Sequence, residues 1–452
     1  MRYHIWTIGC QMNVADSQRV AAGLERLGFA PAERAGDADV VILNTCVVRQ
    51  QPEDKAVGRL NQLKSFKRRH PDRVLALMGC MVGVRETADL QARFPWVDVF
   101  LPPSDPTELW AFLAEHGDLS EAQSLIADAE ARRLALGRTD TILPPSERDT
   151  AVSAYLPVVL GCSHGCTYCV IPYRRGAERS RPMEVVEAEA QQMASQGIQE
   201  LTLLGQIVDR YGYDLPAFKG ARTTPLVTLL RAVHEIDGLK RIRFLTSHPN
   251  WMRDDLLEAV AELPKVCPHI EVPVQAGDDE VLARMRRGYT VDDYRRLVAR
   301  IRDKIPGVSI ATDIIVGFPG ETEAQFQHTY ELLEELRLDK AHIARYSSRP
   351  LTVATRQFED ALSHEEKERR RRVLDELQSE ILTEKNARYM DQTVEVLVEG
   401  WHARKRRWFG RTCRDRLVFF DGEPEQEWLG RTVGVKITWT GPWSLIGSVQ
   451  LV

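Results

Sequence analysis

The sequence has 452 residues, of which 43% are hydrophobic and 28% are charged, and its formal net charge at pH 7 is −5. This composition is ordinary for a folded protein of roughly two to four domains. Overall positive charge is excluded as a means of binding nucleic acid, so any such binding must come from a local patch. No apolar stretch reaches the ~18 residues of a membrane span, and the amino terminus lacks the apolar region of a secretory signal. We therefore expect a cytoplasmic protein with no membrane association and with reduced cysteines.

The first 115 residues alternate between strand and helix patterns. Such alternation predicts an open parallel α/β sheet. The predicted strands are His4–Ile8, Val40–Leu43, Val74–Met78 and Val97–Leu101, and the predicted helices are Asp16–Leu27, Glu53–Arg69, Val84–Phe94 and Pro106–Glu115.

A cysteine follows each of the first three predicted strands: Cys10, Cys46 and Cys80. Because the carboxyl ends of parallel strands open onto one edge of the sheet, these three thiols are expected to converge. Burial as three separate core cysteines is the alternative, but it does not explain why all three occupy the same step of the strand–helix repeat. We therefore predict a three-thiolate iron–sulfur site here.

Residues 116–150 have a polar, Ala- and Arg-rich helical part, followed by a Pro-Pro pair among charged residues. This composition predicts an interdomain linker.

Six further strand–helix units follow between residues 151 and about 350, and they predict a partial (β/α)6 barrel whose working face lies at the carboxyl ends of its strands. Polar and glycine residues follow these strands, which favours a pocket at that face. The predicted strands are Tyr155–Leu160, Glu200–Leu204, Arg241–Leu245, His269–Val274, Val308–Val316 and Lys340–Tyr346. The predicted helices are Glu184–Ser195, Pro225–Ile236, Asp254–Leu263, Asp292–Lys304 and Glu321–Leu336.

The first of these units carries Cys162, Cys166 and Cys169, directly after its strand. Three thiolates bind three irons of a cubane cluster and leave the fourth iron open for another ligand. The C-x3-C-x2-C spacing resembles that of the radical S-adenosylmethionine (SAM) enzymes, in which SAM binds the open iron. A zinc knuckle or three unrelated thiols are the alternatives. Zinc needs a fourth ligand, and His164 lies inside the tight loop, where we expect it not to reach.

The carboxyl-terminal part begins with a charged amphipathic helix over residues 364–388. Its run Arg369–Arg372 can contact phosphates or can simply form a solvated helix face, which is the reading we favour. A small all-β unit with strands Val394–Val398, Leu417–Phe420 and Val433–Thr438 is predicted after it.

Seven basic residues lie between Arg404 and Arg416, against a single acid. Trp401, Trp408 and Phe409 accompany them. Cations for phosphate and aromatic rings for base stacking favour binding of single-stranded nucleic acid, although a plain basic loop is the alternative. Cys267 and Cys413 belong to neither cysteine triplet and are expected to be incidental.

With both cysteine triplets and the basic tail, the chain resembles the methylthiotransferase family, and within it the MiaB subgroup. The resemblance covers nearly the whole length except the linker. Besides the Cys162–Cys169 triplet, the motifs that carry it are Gly9-Cys10-Gln11-Met12-Asn13, Asn44-Thr45-Cys46, Gly79-Cys80-Met81, Leu204-Gly205-Gln206, Thr246-Ser247-His248-Pro249, Val272-Pro273-Val274-Gln275, Asp313–Thr322, Gly410-Arg411-Thr412 and Pro442-Trp443-Ser444-Leu445.

The resemblance implies two 4Fe-4S clusters and two uses of SAM, one as methyl donor and one as radical source. It implies addition of a methylthio group to C2 of N6-isopentenyladenosine, next to the anticodon of tRNAs. The implied metal ligands are Cys10, Cys46, Cys80, Cys162, Cys166 and Cys169, with no further catalytic residues, and Gln206 and Gln275 are candidate SAM contacts. The implied partners are the tRNA anticodon stem-loop, an electron donor such as flavodoxin or ferredoxin, and a sulfur-delivery protein.

The expected domains are a methylthiotransferase domain (1–118), a linker (119–150), a radical-SAM barrel with its following helix (151–386) and a TRAM-like RNA-binding domain (387–452), in a monomer. Two segments depart from the family pattern: Ile207 replaces a usual Asn, and Ser347–Thr352 replaces a usual Ser-Pro-Arg-Pro-Gly-Thr. The alternative functions are methylthiolation of threonylcarbamoyladenosine or of a ribosomal-protein side chain, and a non-catalytic iron–sulfur protein that binds RNA.

Overall fold

A computed structural model describes residues 1–84, 87–116, 125–126, 143–423 and 426–450 of the chain. Three successive units follow one another in these residues: an open parallel sheet, a partial parallel barrel and a closed small barrel. The predicted fold class is thereby confirmed. Within the described ranges no helix is both long and apolar enough to cross a membrane.

The amino-terminal unit is a parallel sheet with strand order β2-β1-β3-β4-β5 and helices on both faces. Its strands are β1 (Arg2–Ile8), β2 (Ala30–Pro31), β3 (Val40–Thr45), β4 (Val74–Gly79) and β5 (Val99–Leu101), and its helices are α1 (Gln11–Arg26), α2 (Gln50–Arg69), α3 (Ala88–Arg93) and α4 (Thr107–His116).

Helix α1 begins at Gln11, five residues before the predicted start at Asp16. The difference arises because Cys10 is the extended N-cap residue, with Asn13 beside it, and cysteine is not among the usual N-cap residues that mark a helix start in a sequence. The predicted helix Val84–Phe94 is observed as α3, and residues 85 and 86 lie outside the described residues.

The predicted linker lies largely outside the described residues, which omit 117–124 and 127–142. The part that is described contains one short helix, α5 (Pro145–Arg148).

The central unit is a partial barrel of two parallel three-stranded sheets, β6-β9-β10 and β11-β12-β13, joined by a parallel bridge between Ile242 and Val266. No pairing closes β13 onto β6 within the described residues, so the barrel is open on one side. Its strands are β6 (Ser153–Pro157), β7 (Val159–Leu160), β8 (Arg179–Ser180), β9 (Glu200–Leu204), β10 (Arg241–Leu245), β11 (His269–Glu271), β12 (Ser309–Val316) and β13 (Lys340–Arg345).

Helices cover the outside of this barrel, and their apolar faces form the largest core of the molecule with the outward-facing strand residues. They are α6 (Ile171–Arg174), α7 (Met183–Ser195), α8 (Pro225–His234), α9 (Asp254–Glu262), α10 (Asp279–Met285), α11 (Val291–Lys304), α12 (Glu323–Leu336), α13 (Val353–Gln357) and α14 (His364–Ala387). Short 3-10 turns lie at Ala35–Asp37, Val208–Arg210, Pro216–Phe218 and Pro249–Trp251.

The carboxyl-terminal unit is a closed five-stranded barrel of order β14-β15-β16-β18-β17. Its strands are β14 (Thr393–His402), β15 (Arg407–Arg411), β16 (Leu417–Phe420), β17 (Thr432–Thr440) and β18 (Leu445–Val449). Strands β15 and β18 are additional to the three predicted strands. All pairings are antiparallel except that of β16 with β18.

The small barrel packs against the amino-terminal end of the central barrel. Arg241, the first residue of β10, donates to the carbonyl oxygen of Arg411 at 2.6 Å, and Arg416 donates to the Asp339 carboxylate at 2.6 Å just before β13 begins. The carboxyl-terminal end of the central barrel contacts the amino-terminal unit, which contributes the other residues of the candidate site.

Candidate functional site

Three neighbouring strands of the amino-terminal sheet each end at a cysteine. Strand β3 pairs with both β1 and β4, in a register that places Ile8, Thr45 and Gly79 level with one another. Cys10, Cys46 and Cys80 therefore leave the sheet at one edge, as the strand–helix repeat predicts.

Two asparagines lie beneath these cysteines and pack against the glycines that precede them. The Asn13 side chain donates to Asn44 Oδ1 at 2.8 Å and to the Thr45 carbonyl at 3.1 Å. A Cβ atom on Gly79 would lie 2.5 Å from both the Thr45 carbonyl oxygen and Asn44 Oδ1, and Gly79 also has a φ of +97°. Only glycine fits there, which explains the Gly-Cys pair at the end of β4.

An arginine from the central unit, Arg175, lies beside the buried thiols of this edge. Arg175 Nε donates to Cys80 Sγ at 3.3 Å, and its Nη2 lies 3.3 Å from the buried carboxylate of Asp16. The thiol–thiol interaction with Cys46 and the nearby Arg175 charge hold the pKa of Cys80 at about 6, although burial opposes this, while Cys46 has its pKa raised. One thiolate is thus available at this edge at neutral pH, which is the form that binds metal.

The second triplet lies in the loop after β7. Cys162 is buried against Ile171 and Ile207, and its sulfur accepts from the backbone N–H of His164 at 3.4 Å. Burial raises the pKa of Cys162 to about 11 and that of Cys169 to about 12.

Cys166 differs from its two neighbours because cationic groups face it. Arg287 Nη1 donates to Cys166 Sγ at 3.2 Å. Burial raises the pKa of Cys166, but the His164 ring and Arg287 outweigh that effect and lower it to about 7. The His164 ring thus interacts with one thiol of the loop, while its exclusion as a fourth zinc ligand stays a prediction.

No three His, Cys, Asp or Glu side chains of the described residues are arranged to hold a single metal ion. A zinc knuckle at either triplet therefore lacks structural support. A cubane cluster makes a different demand, since each thiolate binds a different iron and the three sulfurs need not meet at one point. Each triplet supplies three thiols, one of which is paired with an arginine, and this donor set fits an iron–sulfur cluster.

The two triplets are neighbours. Arg175 lies six residues after Cys169 in the chain, and it donates to Cys80 of the other triplet. A second bridge comes from Arg349, after β13, whose buried guanidinium contacts Glu53, Gln50 and the Val47 carbonyl in the segment that follows Cys46. Both bridges join the carboxyl-terminal end of the central barrel to the cysteine edge of the amino-terminal sheet.

The predicted SAM contacts Gln206 and Gln275 both lie at the carboxyl-terminal ends of barrel strands, after β9 and β11. Gln275 has a φ of +75°, and Thr246, after β10, has a φ of +67°. Non-glycine residues in this conformation are strained, and such strain concentrates at functional sites. The role of the two glutamines stays a prediction.

Three polar groups near the loop triplet were not predicted as functional. The buried His248 ring packs edge-on against His164, with centroids 4.5 Å apart, and its Nε2 and Ser247 Oγ have no hydrogen-bond partner among the described residues. The Asp209 carboxylate accepts from the His248 backbone N–H at 3.0 Å. Burial raises the pKa of Asp209 to about 8 and lowers that of His248 to about 2.

The two departures from the family pattern have different surroundings. Ile207 is buried against the cysteine loop. Leu351, where the family usually has Gly, is exposed and has a φ of +75°, so this chain carries a strained side chain at a position that favours glycine.

The run Arg369–Arg372 does not form a free phosphate-binding face or a simple solvated one. Arg370 is 3% exposed and donates to the Glu321 carboxylate at 2.8 Å. The other three arginines pair with acids of the same helix or of α12. Acidic residues of this helix and of α12 therefore pair with the four arginines. The sequence of the four arginines alone does not reveal these partners.

The aromatic residues of the small barrel divide differently from the prediction. Trp408 is 6% exposed, packs in the barrel core and donates from Nε1 to the Glu423 carbonyl at 3.0 Å, so its predicted stacking on a base is wrong. The exposed tryptophans are Trp439 (48%) and Trp443 (58%). Trp443 belongs to a motif noted in the sequence, but nothing there indicated its exposure.

Six of the seven basic residues between 404 and 416 divide into two groups, and the seventh, Arg407, pairs with Asp421. Arg404, Lys405 and Arg406 lie exposed in the β14–β15 turn. Arg411, Arg414 and Arg416 instead contact other parts of the protein, and Arg414, although exposed, donates to the Gly307 carbonyl at 2.6 Å. Cys413 lies among this second group and interacts with the thiol of Cys267, so the two cysteines that belong to neither triplet are neighbours.

Comparison with known families divides the chain in the same way as its sheets. The uncharacterized protein family UPF0004 matches residues 2–102, the Radical SAM superfamily matches residues 156–333, and the TRAM domain matches residues 387–450.

Similar proteins cover nearly the whole chain. A protein of Roseiflexus sp. (strain RS-1), named tRNA-2-methylthio-N(6)-dimethylallyladenosine synthase, is 49% identical over 99% of this chain and 89% of its own length. Proteins of the same name are 47% identical in Chloroflexus aurantiacus, over 100% of this chain and 92% of theirs, and 45% identical in Herpetosiphon aurantiacus, over 99% and 97%.

Solved structures resemble the fold at low sequence identity. The radical S-adenosylmethionine methyltransferase TsrM from Kitasatospora setae, with cobalamin and a [4Fe-4S] cluster bound, has a TM-score of 0.51 and 16% identity, and it covers 78% of this chain and 77% of its own.

Proposed function

This chain belongs to the family of tRNA-2-methylthio-N(6)-dimethylallyladenosine synthases, and we propose that it adds a methylthio group to C2 of N6-isopentenyladenosine next to the anticodon of tRNAs. The observation that carries this proposal is the contact between Arg175 and Cys80, because it joins the segment after the loop triplet to a thiol of the sheet triplet. A reaction that activates a carbon and then delivers sulfur to it needs both centres close to one substrate.

The cofactors of the family are 4Fe-4S clusters and SAM. We propose one cluster on Cys10, Cys46 and Cys80 and one on Cys162, Cys166 and Cys169. When bound, these groups supply one-electron cleavage of SAM, hydrogen abstraction from the base, and the sulfur that is transferred.

The side chains of this chain orient and neutralise these centres. Arg175 and Arg287 each donate to one thiolate, Cys80 and Cys166 respectively, and such contacts fix the ligand and reduce its negative charge. Cys162 and His248 are buried, and we propose that this burial limits the access of water to a reactive species formed beside them. We propose that Gln206 and Gln275 contact SAM at the mouth of the barrel.

Nucleoside analysis of tRNA from a deletion strain tests the proposed reaction. We expect 2-methylthio-N6-isopentenyladenosine to disappear and N6-isopentenyladenosine to accumulate, and complementation with the wild-type gene to restore the first nucleoside. Unchanged 2-methylthio content would exclude the proposal. Loss of a methylthiolated threonylcarbamoyladenosine or ribosomal-protein residue instead would establish one of the two related reactions.

A non-catalytic iron–sulfur protein that binds RNA is the candidate from another class. Reduced, cluster-loaded protein incubated with SAM separates it from an enzyme. We expect 5′-deoxyadenosine to form, and protein that carries its full iron content but never cleaves SAM would support the non-catalytic role.

We propose that the aromatic RNA contacts of the small barrel are Trp439 and Trp443, not Trp408. Both are exposed near the junction with α14, whereas Trp408 is buried. Trp443→Ala is expected to weaken binding of an anticodon stem-loop by roughly 1–3 kcal/mol, the range for a ring that stacks on a base. Trp408→Ala, the matched control, should lower thermal stability more than affinity, and equal affinity of Trp443→Ala and wild type would contradict the assignment.

We propose the domain limits 1–118, 151–386 and 387–452, with residues 119–150 as linker, which the three family matches and the three structural units support. We also propose a cytoplasmic monomer that receives electrons from a flavodoxin or ferredoxin and sulfur from a delivery protein.

A further inference from the structure

Two cysteines outside both triplets meet where the small barrel packs against the central barrel. Cys267 lies two residues before β11 and is 2% exposed. Cys413 lies in the loop between β15 and β16 and is half-buried. Their thiols interact with each other, and neither is engaged in a disulfide.

The backbone around each cysteine is fixed by adjacent residues of strand β10. The Cys267 N–H donates to the Ile242 carbonyl at 2.9 Å. Arg243 donates to the Cys413 carbonyl at 2.9 Å and to the Thr412 carbonyl at 2.8 Å. Glu200 holds Arg243 in turn, with Nε at 2.9 Å from its carboxylate. Adjacent residues of one strand therefore hold both cysteine segments in place beside each other.

The charges around the pair make its two members chemically different. The interaction with Cys267 and the positive charges of Arg241 and Arg243 lower the pKa of Cys413 to about 6, although burial opposes them. The pKa of Cys267 is raised by Cys413 and by burial. A half-buried thiolate beside a buried thiol is the arrangement of an attacking and a resolving cysteine.

We propose that Cys267 and Cys413 form a reversible dithiol–disulfide pair that hydrogen peroxide oxidises, and that its disulfide joins the small barrel covalently to the central barrel. The Cys413 thiolate attacks the O–O bond of peroxide, so that an S–O bond forms and hydroxide leaves. The Cys267 thiol then attacks the Cys413 sulfenic acid, the S–S bond forms, the S–O bond breaks, and water leaves with the Cys267 proton. The pair loses two electrons, peroxide gains them, and a dithiol reductant reverses the change.

This inference is independent of the proposed function, because neither cysteine belongs to a proposed cluster site. Its physical effect is on the joint between the domains. The crosslink would fix the loop that carries Thr412 and Cys413 against the amino-terminal end of the barrel, where hydrogen bonds from Arg243 and the ion pair of Arg416 already hold it.

The test uses the full chain, purified without oxygen and loaded with its clusters. After graded additions of hydrogen peroxide, free thiols are blocked with N-ethylmaleimide, and the protein is digested without reduction for mass spectrometry. We expect a Cys267–Cys413 linked peptide at lower peroxide than any oxidised form of the other six cysteines, its loss on treatment with dithiothreitol, and a rise in Tm of a few degrees. Absence of the linked peptide, or conversion of Cys413 to sulfinic acid alone, would overturn the proposal.

Two variants assign the roles within the pair. In Cys267→Ala, peroxide should leave Cys413 as a sulfenic acid that dimedone labels, and alkylation of Cys413 at pH 7 should slow about tenfold because its thiolate fraction falls. In Cys413→Ser, Cys267 should stay unmodified at the same peroxide dose. Dimedone labelling of Cys267 in that variant would contradict the assigned order.

Discussion

The two cysteine triplets have similar chemistry, but their cysteines are brought together in different ways. Cys162, Cys166 and Cys169 lie within eight residues of one loop, so the local chain alone brings them together. Cys10, Cys46 and Cys80 come from three strands, and only the register of β1, β3 and β4 makes them level. The first site is thus a property of a loop, and the second is a property of a folded sheet.

This difference implies that the two sites have different weaknesses. Damage to the sheet, or to the residues that support it, should remove the site of Cys10, Cys46 and Cys80 and spare the site of the loop. Arg175 connects the two sites directly, because it lies six residues after Cys169 in the chain and contacts Cys80 of the sheet. Variants at these positions decide how independent the two sites are.

The largest effect is expected from substitution of the loop cysteines. Each of Cys162→Ala, Cys166→Ala and Cys169→Ala should reduce SAM cleavage below detection, because three thiolates are needed to leave a single open iron. Iron and sulfide content should fall by about half, since the sheet site remains. Anaerobic iron and sulfide counts together with 5′-deoxyadenosine formation measure this, with Cys267→Ala as a control that should keep both clusters. Loss of all iron in every loop variant would show that the sites are not independent.

Substitution of the sheet cysteines should give the opposite separation. Cys46→Ala and Cys80→Ala are expected to keep SAM cleavage within about twofold of wild type while methylthio transfer to tRNA is lost, because the proposed sulfur-donating site is absent. Parallel assays of 5′-deoxyadenosine and of the modified nucleoside measure the two steps. Abolished SAM cleavage in both variants would contradict a separate role for the sheet site.

A smaller effect is expected at the two arginines. Arg175→Met should weaken the sheet site, and Arg287→Met the loop site, each by roughly 10–100-fold in cluster retention or activity, the usual effect of losing an outer hydrogen bond to a metal ligand. Because Arg175→Met leaves the buried Asp16 carboxylate without its partner, the double variant with Asp16→Asn is the matched control for folding. Cluster-specific spectra of each variant report which site is affected, and an unchanged sheet site in the double variant would remove Arg175 from that role.

The smallest effect is a pH dependence beside the loop site. Burial raises the pKa of Asp209 from its ordinary value to about 8, so the folded state binds a proton that the unfolded state releases near pH 4. The stability that this group contributes is full below about pH 4 and is lost progressively as the pH rises toward 8. Asp209→Asn should remove this loss, so its Tm should exceed that of wild type more at pH 8 than at pH 5.5. An equal difference at both pH values would show that Asp209 is ionised throughout.

Much of the fold follows from local patterns in the sequence. The strands Glu200–Leu204 and Arg241–Leu245 are observed with their predicted bounds, because each is a short run bounded by clear changes in composition. The convergence of Cys10, Cys46 and Cys80 at one edge of the sheet could also be predicted, because each follows a strand at the same point of the strand–helix repeat.

Such local patterns do not predict which side chains contact each other when they lie far apart in the sequence. Arg175 and Cys80, Arg287 and Cys166, and Cys267 and Cys413 are separated by about 95 to 146 residues, and no local periodicity marks them. The burial of Trp408 could be predicted in part from the sequence. In a strand over residues 407–411, its neighbours Arg407 and Phe409 point to the opposite face. The basic residues around it had suggested a loop instead of a strand.

The position of the small barrel has a consequence for the choice of substrate. It is fastened to the end of the central barrel where the strands begin, while the cysteines and the strained mouth residues lie where the strands finish. Strand β12 has eight residues, which at ~3.3 Å per residue separates the two ends by roughly 26 Å. An RNA that touches both ends must span that height, as a folded stem-loop can and a free nucleoside cannot. With RNA bound to the small barrel as proposed, the distance between the two ends would select a substrate by its length as well as by its base.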